Sequence, residues 1–173
     1  NNSFLVFETG SATTLNGNLR LLNNNVIIDA GAAFGGTGAL VVPDGSNMVG
    51  EANADIDVLL NMQGGFRPGN SEGIARVDVK DYQNSSTSKL FVEITGTALN
   101  AFDRLVVGGD AIVDGFLSID VDEVSPGVPF VPALGQTFNI ITTSGIRSGA
   151  FDTVDVSGMP AGLAFHINYL ANA

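Results

Sequence analysis

The chain has no cysteine, no tryptophan, a single histidine, and only seven Lys plus Arg against eighteen Asp plus Glu. The absence of cysteine removes disulfides, thiolate nucleophiles, cysteine-ligated zinc and iron–sulfur clusters together. The formal charge of -11 and a pI near 4.1 mean that a phosphate backbone is repelled, so nucleic acid and anionic membrane surfaces are poor partners. No run approaches the ~18 apolar residues of a membrane helix, and no membrane insertion is expected. The start, Asn1-Asn2-Ser3-Phe4, lacks an initiator Met and the basic opening of a signal peptide, which fits a chain processed after secretion.

Helical signals are scarce as well. Twenty-two glycines and many Asn, Thr, Ser and Val residues disfavour helices, and no window repeats apolar residues at helical spacing. What remains is strand. With 173 residues, 45% of them hydrophobic, the chain can build a real core, and residues 1–173 read as a single elongated domain. Apolar stretches at 4–7, 19–22, 26–29, 39–42, 56–60, 75–79, 90–94, 104–107, 116–121, 137–142, 153–156 and 164–169 predict strands. Leu117-Ser118-Ile119-Asp120-Val121 alternates cleanly, so its odd positions face a core and its even ones face water.

Turn signals separate the strands: Asn16-Gly17, Gly35-Gly36-Thr37-Gly38, Asp44-Gly45, Pro68-Gly69, Gly108-Gly109 and Asp114-Gly115. Gly, Asn and Asp accept positive φ, and Pro68-Gly69 suits the centre of a type II turn. Strand centres recur roughly every 13 to 20 residues, loosely the interval of one solenoid coil. Few equal strands are joined by two-residue hairpin loops. The fold expected is therefore all-β, a parallel β-helix built as a single-stranded solenoid, with an antiparallel β-sandwich as the alternative.

From Gly64 to Tyr169 the order of motifs carries a resemblance. The segments are Gly65-Phe66-Arg67-Pro68-Gly69-Asn70-Ser71, Ser88-Lys89-Leu90-Phe91-Val92-Glu93-Ile94, Phe102-Asp103-Arg104-Leu105-Val106-Val107 and Gly115-Phe116-Leu117-Ser118-Ile119. Phe130 to Ile141 and Gly149-Ala150-Phe151-Asp152 follow. This region resembles the secreted, repeat-rich bacterial proteins related to autotransporter passenger domains and their associated β-strand repeats. The resemblance implies a right-handed parallel β-helix, exported and displayed on the bacterial surface or released outside the cell. It implies no particular chemistry, because such stems carry adhesins, structural fibres and some enzymes. Glu72 departs from the pattern, standing where Pro is usual.

Residue chemistry points away from catalysis, and no cofactor is expected. Alternation turns His166 outward with Asn168, opposite Phe165 and Ile167. The pairs Asp55/Asp57, Asp120/Asp122 and Asp152/Asp155 invite a cation, yet no EF-hand loop is present and solvated outer-face carboxylates explain them. Arg76 and Lys80 share a face without forming the basic cluster a polysaccharide lyase needs. Phe34, Phe66, Phe91, Phe116, Phe138 and Phe151 read as core residues stacked at successive coils. Asn84-Ser85-Ser86 matches a glycosylation sequon whose expected role is a turn.

A solenoid must manage its ends, since each terminal coil leaves one row of amides and carbonyls without a neighbour. Here Phe4-Leu5-Val6-Phe7 opens the chain and Leu163 to Leu170 closes it, with no charged cap. The expectation is a homopolymer of copies joined head to tail into a filament or surface layer. Phe4, Leu5, Val6 and Phe7 form one contact, Phe165, Ile167, Tyr169 and Leu170 the other, and residues 1–8 serve as the bridging strand. The alternative is the stem or binding module of a cell-surface adhesin that recognises extracellular polysaccharide.

Overall fold

A computed structural model describes residues 4–22, 25–69 and 73–170; Asn1 to Ser3 of the bridging segment, and Asn70, Ser71 and Glu72 of the quoted motif, lie outside them. The described residues are all β. In chain order the strands are β1 (Phe4–Phe7), β2 (Ala12–Leu15), β3 (Leu19–Arg20), β4 (Asn25–Ile28), β5 (Ala33–Gly36), β6 (Ala39–Val42) and β7 (Asn47–Gly50). Next come β8 (Asp55–Met62), β9 (Gly65–Pro68), β10 (Arg76–Asn84), β11 (Lys89–Ile94), β12 (Arg104–Val107) and β13 (Ala111–Val113). The last are β14 (Phe116–Val121), β15 (Glu123–Ser125), β16 (Val128–Pro129), β17 (Ile141–Thr143), β18 (Arg147–Gly149) and β19 (Thr153–Ser157).

The chain alternates between two open sheets. One is seven-stranded, in the order β1-β4-β7-β9-β11-β14-β19, and the other is ten-stranded, with β2-β5-β8-β10-β12-β17 along its main path. Both orders follow the sequence, and the strands within each sheet run parallel. The antiparallel sandwich considered from the sequence does not form: each strand of the two large sheets meets its ladder partner only after the chain has visited the other sheet, so it arrives in the same direction. Antiparallel pairing among the described residues is confined to the β15–β16 hairpin and a bridge between Ile94 and Phe102.

Register lines up one apolar row across the seven-stranded sheet: Leu5, Val26, Met48, Phe66, Leu90, Leu117 and Val154. Its five inner members are buried and pack with Phe34, Leu40, Ile56, Leu60, Val77 and Leu105 from the other sheet in one core. Burying each such side chain contributes about 1.5–3 kcal/mol.

Several strands escaped the sequence reading because local propensity opposes them. Ala33-Phe34-Gly35-Gly36, Asn47-Met48-Val49-Gly50 and Gly65-Phe66-Arg67-Pro68 form strands because neighbours on both sides supply ladder bonds. Gly36 is needed where it stands: its φ is 114°, and a Cβ there would strike the Leu15 carbonyl. Of the expected turn glycines, Gly45, Gly69 and Gly115 also take positive φ, whereas Gly17, Gly108 and Gly109 do not.

Two expected strands are corrected. Residues 137–142 become strand only from Ile141; ahead of it the Phe138 ring meets Phe102, Phe130 and Phe165 edge-on, so this stretch packs through side chains and not through a ladder. Residues 164–169 alternate in exposure, but no ladder takes them in.

Candidate functional site

The outer edges of the seven-stranded sheet are β1 and β19. At β1, Phe4 is 57% and Leu5 39% exposed, Val6 is also exposed, and Phe7 is half-buried with its ring 4.7 Å from Phe34. Leu5 is exposed for a simple reason: it belongs to the inward row but has covering residues on one side alone. At the opposite edge Val154 is 37% exposed for the same reason. The second contact expected from the sequence, Phe165, Ile167, Tyr169 and Leu170, lies beyond β19 in the chain.

That terminal segment is largely occupied with its own chain. Phe165 and Ile167 pack on the core, and Phe151 N donates to the Tyr169 hydroxyl at 3.0 Å. The Arg147 guanidinium lies over the Tyr169 ring at 5.2 Å and donates to the carbonyls of Tyr169 and Leu170. Leu170 is exposed. His166 and Asn168 face solvent while Phe165 and Ile167 turn inward, as alternation predicts.

The carboxylate pairs fall in different settings. Asp55, Asp57 and Asp78 line a shallow cleft of about 320 Å³ on the ten-stranded sheet, together with Lys80 and Gly108. Burial, then the neighbouring Asp57 and Asp78, raise the Asp55 carboxyl above its usual range. Asp78 is tied to Arg76 at 2.6 Å on the same strand. Asp120 accepts the Ser157 hydroxyl at 2.7 Å, whereas Asp122 accepts Glu123 N. Among the described residues, no three His, Cys, Asp or Glu side chains are grouped to hold a metal ion. Asn84 is buried and donates to the Asp114 carbonyl at 3.3 Å, which draws the sequon amide inward.

The phenylalanines split in a way the sequence reading missed. Phe34 and Phe66 are core residues, and Phe138 and Phe151 are partly buried against the core. Phe91 and Phe116 are not: Leu90, Val92, Leu117 and Ile119 hold the inward positions, so both rings project from the outer face. The competing parity was visible in the flanking Leu, Val and Ile residues.

Asp103 was also unforeseen. It is buried beneath the loop closed by the Ile94–Phe102 bridge, and its carboxylate accepts Ala75 N at 2.8 Å and Glu93 N at 2.9 Å. The side chain thereby joins β11 to the segment entering β10. Burial pushes the carboxyl up to about 7, against the pull of these two donors. The folded state thus holds this proton more tightly than the unfolded chain, and the contribution of Asp103 to stability falls as pH rises from about 4 to about 7. Urea unfolding across that window should show a component of up to about 1.4 kcal/mol per pH unit that Asp103→Asn removes. Identical pH slopes for the two proteins would refute it.

No family model matches this chain, and neither does any curated protein or solved structure.

Proposed function

We propose that this is an extracellular structural protein, a right-handed parallel β-helix whose copies stack end to end into a filament or surface layer. The observation that carries the reading is the match between the two edges. Leu5 and Val154 end the same register row, so β1 of one copy set beside β19 of another prolongs that row without a change of parity. The right hand is the one the resemblance to autotransporter-related β-helices implies, and it accords with the general preference of parallel crossovers.

Energetics favour the ends over the sides. A β1–β19 junction satisfies main-chain groups that are otherwise open and covers Phe4, Leu5, Val154 and Val156, all exposed in the single copy. The chain's charge of -11 disfavours side-by-side contact, whereas β1 carries no charge and β19 only Asp155. Such a contact joins two different surfaces, so it need not close, and stacking along one axis lets growth continue.

Electron microscopy with sedimentation of the purified full chain over a range of concentrations tests the reading. Unbranched particles that lengthen with concentration are expected. A chain that stays monomeric at the highest soluble concentration would overturn it.

A further inference from the structure

The outer face of the seven-stranded sheet carries a second feature, independent of how copies associate. One register row runs Asn25, Asn47, Gly65, Lys89 and Phe116. The Asn47 amide donates to Asn25 Oδ1 at 3.4 Å. Beside the row, the Arg67 guanidinium lies 3.8 Å from the centre of the Phe91 ring and the Lys89 ammonium 5.0 Å from it. Phe116, the register partner of Lys89, is 39% exposed.

We propose that this row is a binding strip for an acidic polysaccharide laid along the stacking direction. Two of the seven cations of a strongly acidic chain are gathered on a single ring. Stacking on Phe91 fixes their heads at little entropic cost and keeps them at the surface. Gly65 makes the arrangement possible, since a Cβ there would press on the Asn47 amide oxygen and stand 3.4 Å from the Phe91 ring.

Each part of the strip answers one part of such a ligand. Arg67 and Lys89 meet carboxylates or sulfates, the Asn amides meet hydroxyls, and the open Phe116 ring meets the apolar face of a sugar. From Asn47 to Phe116 the strip covers three strand steps, roughly 14 Å. Glu93 and Asp120, register partners four residues beyond Lys89 and Phe116 on the same strands, repel an anion that strays sideways and so hold it to the row.

Affinity electrophoresis of the full chain in gels containing polygalacturonate tests the proposal. At low ionic strength the protein should be retarded by polygalacturonate and not by dextran, and added salt should weaken the effect. Arg67→Glu with Lys89→Glu should lower the affinity at least tenfold, and Phe116→Ala severalfold. Arg67→Gln and Lys89→Gln, made singly, replace the double variant if it does not fold. Absence of retardation, retardation unchanged in the variants, or equal retention by single-stranded DNA would each overturn the assignment.

Discussion

Leu5→Asp and Val154→Asp should each abolish filament growth while leaving the chain folded, and an equimolar mixture of the two should give dimers. Both side chains lie at the sheet edges and are more than a third exposed, so charging either costs the single copy little. At a junction the same carboxylate would be enclosed against an apolar row, at a cost of a few kcal/mol, or a rise of about a hundredfold in the concentration needed for growth. The mixture sets the direction of contact. Leu5→Asp keeps a sound β19 edge and Val154→Asp keeps a sound β1 edge, so one junction forms per pair and growth stops there. Analytical ultracentrifugation reads the result. Contacts between like edges would instead leave one single variant dimeric by itself and the mixture unchanged, and that outcome would remove head-to-tail stacking.

Phe66→Ala should lower the free energy of unfolding by about 3–5 kcal/mol, whereas Phe91→Ala should cost about 1 kcal/mol or less. Phe66 is 1% exposed, flanked in its row by Met48 and Leu90. Its ring also reaches the space beside Gly50, coming within 3.5 Å of where a Cβ there would stand. Removing it leaves a cavity that rows locked by ladder bonds on both sides cannot close. Phe91 lies on the outer face one strand away, so its loss forfeits cation contacts and no core volume. Paired urea denaturation curves measure both. Equal losses would contradict the inward and outward assignment of these rings.

Much of the fold was legible because a half-buried strand writes its two faces into alternate residues. Leu117, Ile119 and Val121 are buried and Asp120 is exposed, as their spacing requires, and β1, β6, β12 and β14 have the bounds that their apolar runs suggest. The same rule, applied to Leu90, Val92 and Leu117, turns Phe91 and Phe116 outward, so parity outweighs residue type here. Of the two contacts expected from the sequence, the uncharged run Phe4-Leu5-Val6-Phe7 forms the edge strand β1, whereas residues 163–170 join no strand and Phe165 and Ile167 among them pack against the core.

By itself the sequence determined that this chain is all β, acidic and without cysteine, because composition and alternation are properties of neighbouring residues. The tertiary structure alone decided the rest. That Gly65-Phe66-Arg67-Pro68 is a strand, that Asp103 is buried between two backbone donors, and that Leu5 and Val154 end one row all depend on pairing between residues far apart in the chain. Ladder hydrogen bonds and shared burial fix that pairing, and a local pattern specifies which face a residue takes without specifying which strand lies beside it.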